Sequence, residues 1–118
     1  MRENIVLEKS FKFATRIIKL YLYLKKEKNE YELSKQILRS GTSIGSNAEE
    51  AVGGYSRKDF SAKMGIAYRE ARETKYWLRL LHETEFITTK VFDSSMSDCE
   101  ELLKIIGSIQ ISLKGRHS

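Results

Sequence analysis

Proline is absent from this 118-residue chain, and cysteine and tryptophan occur once each. A loop-rich or all-β protein normally uses several prolines in its turns and edges, whereas long helices joined by short turns need none. The single cysteine, Cys99, cannot form an internal disulfide, so nothing in the chain calls for an oxidising compartment. Long apolar runs are also missing. Charges interrupt every stretch that might span a bilayer, and the start, residues 1–5, has no apolar signal-peptide segment. The expectation is a cytoplasmic protein that does not enter a membrane.

The residues that do chemistry are just as scarce. One cysteine and two histidines are too few for a zinc site. A di-iron bundle needs Glu-x-x-His on two helices, but Arg79 stands three before His82, and His117 lies in the tail. No phosphate-binding glycine loop, dinucleotide fingerprint or serine elbow is present. Small all-α ribonucleases of the HEPN class place an arginine four to six residues before a histidine, and the three-residue step from Arg79 to His82 does not match. The chain is therefore expected to have no catalytic residue, metal or cofactor. Cys99 falls on an apolar helical face and reads as a packing residue, and His82 reads as a helix-end cation or surface side chain. The pair Glu49-Glu50 could bind a metal, although a hydrogen bond between helices or subunits suits it better.

What remains is helical and basic. Hydrophobic residues make up 41% and charged residues 31%, a balance that suits one globular domain over residues 1–118. Apolar residues at three- and four-residue steps predict helices over about 4–26, 32–52, 57–82 and 89–113. Helix one has two such rows: Leu7, Phe11, Ala14, Ile18, Tyr21 and Leu22, and beside it Val6, Phe13, Ile17, Leu20 and Leu24. Together they cover about 200°, against the roughly 100° stripe of an ordinary surface helix, which predicts burial against more than one neighbour. Gly53-Gly54 reads as a helix stop in the left-handed conformation, Ser56 as the next cap with Asp59 behind it, and Lys114–Ser118 as a frayed tail. Four amphipathic helices with short connections fold most simply as an all-α, antiparallel up-down-up-down four-helix bundle.

Two features stand out from this background. In helix two, Gly41, Gly45 and Ala48, flanked by serines, give a nearly bare surface that another backbone can approach closely. It serves either packing within the bundle or a subunit contact, with Ile44, Asn47 and Glu50 on the same segment. A loop over 40–46 is the alternative to a continuous helix there, since each glycine costs about 1 kcal/mol relative to alanine.

The second feature is charge. Residues 1–28 carry eight Lys/Arg against three Glu, giving +5, and residues 55–84 carry seven against four, giving +3. Residues 29–54 carry two against four, giving −2, and residues 85–118 carry four against five, giving −1. Lys9, Lys12, Arg16 and Lys19 share a face of helix one, along with Arg2. Arg69, Arg72, Lys75 and Arg79, with Tyr76, line helix three, and Arg57, Lys58 and Lys63 lie upstream. Cations one helical turn apart are spaced about 5 Å, commensurate with phosphates along a strand. Glu70 and Glu73 are expected to dilute the helix-three ridge as i,i+3 or i,i+4 partners. Such ridges suit RNA or a ribonucleoprotein, and the alternative is a protein-interaction scaffold that docks an acidic partner protein.

The stretch 36–51, reading QILRSGTSIGSNAEEA, followed by SRKDF at 56–60 and AYREARETKYWL at 67–78, resembles the bacterial four-helix-bundle proteins encoded in intervening sequences of 23S rRNA genes. The likeness covers nearly the whole chain and is strongest over 33–81. Its most specific part is Ser43-Ile44, Asn47 and Glu50, then a glycine-bearing turn and Phe60. Many members have glycine where this chain has Ala51. The resemblance implies a barrel-like homopentamer. A related branch, the accessory variability proteins of diversity-generating retroelements, binds reverse transcriptase and RNA through a basic outer surface.

Overall fold

The structure is a computed structural model that describes the backbone of residues 2–117 and the side chains of residues 3–113. Among these residues there are four helices and no strand: α1 (Arg2–Lys28), α2 (Glu32–Val52), α3 (Arg57–Glu83) and α4 (Thr89–His117). They form a rod of 48 × 21 × 21 Å, close to the roughly 40 Å length of a 27-residue helix. Each helix packs on its chain neighbour, and α4 closes against α1.

Contacts pair residues in opposite order along each seam. Gly41 meets Ile17 and Gly45 meets Ser10. Ser40 bonds Thr74, while Glu50 pairs with Lys63. Cys99 lies against Ala71, and Gln110 against Ser61. Neighbouring helices therefore run antiparallel.

The turns differ from the glycine-based reading. No glycine has a positive φ, and Gly53 ends α2 at φ −83° and ψ 0°, its N–H bonded to the Glu49 carbonyl at 3.1 Å. The left-handed positions are Asn29 (φ 52°) and Glu85 (φ 64°), in the other two turns. After Glu85, the Phe86 N–H reaches back to the Leu81 carbonyl at 2.9 Å, the bond of a Schellman-type close. A Cβ at Gly54 would meet the Asp59 carboxylate, the end of a side chain that can turn aside. Ser56 caps α3 as expected, accepting the Asp59 N–H at 3.0 Å. At the start of α2 the Glu30 carboxylate accepts the N–H groups of Glu32, Leu33 and Ser34 at 3.3, 3.1 and 2.7 Å. Helix four continues past the expected end at 113 as far as His117, so the segment read as frayed is helical. Ser118 lies outside the described residues.

Only one of helix one's two apolar rows is buried in the core, and Leu7 of the other packs against its edge. Val6, Phe13, Ile17, Leu20 and Leu24 are buried with Ile37, Ile44, Met64, Leu78, Leu81, Leu102 and Ile106. In the other row Phe11 is 70% exposed, Leu22 53% and Ile18 44%. Helix two is continuous through 40–46. Gly41 is pressed so closely against α1 that an added Cβ would sit 2.8 Å from the Ile17 side chain, and one at Gly45 would sit 3.3 Å from Ser10 Oγ. Its hydroxyls bond back to the helix, Thr42 to the Leu38 carbonyl at 2.7 Å and Ser43 to the Arg39 carbonyl at 2.6 Å. This satisfies polar groups that would otherwise compete with the helix.

Candidate nucleic-acid interface

The two basic ridges are not alike. On α1, Lys9 pairs with Glu101 of α4 at 3.2 Å, Arg16 with Asp98 of α4 at 3.0 Å, and Lys12 with Glu8 of its own helix at 3.3 Å. Three of the four expected phosphate contacts therefore already hold a carboxylate, leaving Lys19 with no ion pair among the described residues. The charge pattern carried the signal, since Asp98 and Glu101 sit three apart on the helix that closes against α1.

On α3 the arrangement reverses. Arg69, Arg72, Lys75 and Arg79 make no ion pair among the described residues, and Arg69, Arg72 and Arg79 are exposed. The acids expected to dilute this ridge face the other way. Glu70 and Glu73 both reach across to Arg39 on α2, Glu70 at 3.0 Å. The Trp77 indole N–H donates to Glu73 at 3.0 Å. That hydrogen bond, with the adjacent Arg39 guanidinium, holds the Glu73 carboxyl below the usual glutamate range against the opposing effect of burial. Arg39 is in turn pushed up, first by its bond to Glu73. Arg39 carried no expectation from sequence, because its partners lie 31 and 34 residues away.

Arg72, Lys75, Tyr76 and Arg79 converge with Leu103 of α4 on a groove of ≈ 240 Å³. Tyr76 is 50% exposed and braced edge-on by Trp77, with ring centroids 5.3 Å apart and planes at 65°. Across α4, Asp93, Asp98, Glu100 and Glu101 line a separate acidic surface. Of the upstream cations, Arg57 and Lys58 are exposed beside the fully exposed Tyr55, while Lys63 is held by Glu50 at 3.2 Å.

The small-residue segment packs inward. Gly41, Ile44, Gly45 and Ala48 are buried within the chain, Asn47 donates to the Ser43 carbonyl at 2.8 Å, and Glu50 holds Lys63. Cys99 is buried, its thiol donating to the Ala71 carbonyl at 3.3 Å, and burial pushes its pKa up to about 12. His82 lies in the last turn of α3, as expected, and is half-buried there. It stacks on Phe92 at 4.2 Å and lies 3.0 Å from Thr89 Oγ1, bridging α3 to α4. A third surface is an apolar groove of ≈ 330 Å³ between α1 and the start of α4, with Leu20, Tyr23, Ile87 and Val91 on its walls and Arg16 and Lys19 at its rim.

The class these described residues define is the all-α four-helix bundle. The chain belongs to the 23S rRNA-intervening sequence protein family, whose model matches residues 2–108. It is similar to a crystal structure of a protein of unknown function from the S23 ribosomal protein family of Bacteroides thetaiotaomicron, with 50% sequence identity and a TM-score of 0.92. That alignment covers 93% of this chain and 98% of the other. No curated protein matches the chain.

Proposed function

We propose that this protein is a nonenzymatic, homo-oligomeric RNA- or ribonucleoprotein-binding module that engages phosphates through the open ridge of α3. The observation that carries this reading is the turning of Glu70 and Glu73 onto Arg39, which leaves Arg69, Arg72, Lys75 and Arg79 without acidic partners among the described residues. Phosphate contacts supply affinity with little sequence choice. Oligomerisation is supported by the uncovered row Phe11, Ile18 and Leu22, whose heptad-like spacing with Leu7 and Ala14 suits another helix. A ring would repeat the α3 ridge around its outside, and several copies on one RNA would raise the effective concentration. Five copies is the number the family resemblance favours.

The test is a salt titration of RNA binding. If about five phosphates are engaged, the log–log slope for a single strand is near −3 to −4. Replacing Arg69, Arg72 and Arg79 together with Glu abolishes binding and leaves the helical signal and the oligomer intact. Equal affinities for the two proteins move the reading to a scaffold for an acidic protein, which the apolar groove rimmed by Arg16 and Lys19 favours. Native mass spectrometry at low micromolar concentration reads the assembly. A Phe11→Asp/Ile18→Asp variant should fall to monomer, and a monomeric wild type sinks the oligomer.

A further inference from the structure

We infer that the groove between α3 and α4 selects single-stranded over duplex RNA by stacking an unpaired base on Tyr76. This inference rests on the RNA-binding reading above. Cations alone do not make that choice, because both forms present phosphates. The groove holds more than cations. Arg72 and Arg79 lie one helical turn to either side of Tyr76, so a strand following α3 would bring the base between two bound phosphates to the ring. Half of Tyr76 is open to solvent, and its other side is braced by Trp77. Trp77 is itself fixed through Glu73 to Arg39, so the platform is held before any ligand arrives. Leu103 of α4 adds an apolar side chain to the lining.

At ≈ 240 Å³ the groove is small, below the usual 300–1,000 Å³ range of sites that enclose a whole small molecule. It suits one protruding group on a ligand anchored elsewhere. Bases within a duplex stack on each other and cannot offer a face to a side chain, whereas every unpaired base has one.

Fluorescence anisotropy with a labelled single-stranded oligoribonucleotide of mixed sequence, and with its annealed duplex, tests the inference on the 118-residue chain. Wild type binds the single strand more tightly. Tyr76→Ala lowers single-strand affinity about tenfold, leaving duplex affinity and the salt slope unchanged, and Tyr76→Phe keeps the wild-type affinity. Because Tyr76 is half exposed, the variants should melt close to wild type by circular dichroism. Equal wild-type affinity for both forms, or no effect of Tyr76→Ala on the single strand, overturns the stacking inference while the phosphate-binding reading stands. Failure of wild type to bind either form overturns both.

Discussion

Helices one and three carry similar lines of lysine and arginine, but their neighbours treat them in opposite ways. α4 supplies Asp98 and Glu101 to the cations of α1. α2 supplies Arg39, a cation, which draws Glu70 and Glu73 away from the cations of α3. One ridge is neutralised across its seam, and Glu70 and Glu73 are turned away from the other. Charge periodicity locates a basic face, but the residue facing it on the next helix decides whether that face has a field. Exposed ion pairs contribute only about 0–1 kcal/mol to stability, so these pairs matter more for where the net charge lies than for holding the bundle together.

The largest expected effect comes from reversing matched charges on the two ridges. The Arg69, Arg72 and Arg79 reversal removes RNA binding, which a titration at low salt reads as the loss of any saturable signal. Reversing Lys9, Lys12 and Arg16 on α1 should weaken binding much less and change the slope by under about 1, since these side chains already hold carboxylates. Equal losses from the two triples would erase the distinction between the ridges.

The comparison sharpens if the neutralised ridge is released. Asp98→Asn with Glu101→Gln frees Arg16 and Lys9, and RNA affinity at low salt should rise by roughly threefold to tenfold, fading as salt screens the added charge. Anisotropy at two ionic strengths checks this, and no gain at low salt would mean that the α1 face does not meet RNA even when charged.

The smallest effect concerns the clamp on the open ridge. The Glu73 carboxyl is held below its ordinary range by Trp77 and Arg39. Its stabilisation is therefore full above the ordinary glutamate range and lost as pH falls through the lower, folded-state value. Arg39→Met should remove part of that acid dependence at a cost within about 1 kcal/mol, because Arg39 is half exposed. Urea melts at neutral and acid pH read it. An identical pH profile for wild type and variant would show that the clamp does not depend on Arg39.

Four helices and most of their bounds were legible because the apolar period runs unbroken through each. That same period could not say which row of helix one faces inward. Val6–Phe13–Ile17 and Leu7–Phe11–Ile18 repeat equally well, and only the close approach of Gly41 to Ile17 and of Gly45 to Ser10 orients the helix. The helix stop at Gly53 and the cap at Ser56 were legible, but the left-handed conformation expected of the glycines was not found. Gly53-Gly54 is the obvious left-handed pair, yet the left-handed residues are Asn29 and Glu85, in the other two turns. The eight candidate phosphate contacts were all found by spacing. Sorting them needed the three-dimensional neighbours, because Asp98 is 82 residues from Arg16 and Glu73 is 34 from Arg39.

Trp77 is the only tryptophan in the chain, and it stands between the two halves of this arrangement. Its indole N–H is fixed to the clamp that empties the ridge of acid, and its ring abuts the tyrosine that the ridge exposes. The protein thus carries a single indole fluorophore wired to both parts. Protonation of Glu73 would change the polarity at the indole nitrogen, and a ligand on Tyr76 would change the packing at the ring edge. The first change follows pH and the second follows ligand concentration, so an unlabelled sample excited at the indole band can tell a released clamp from an occupied groove.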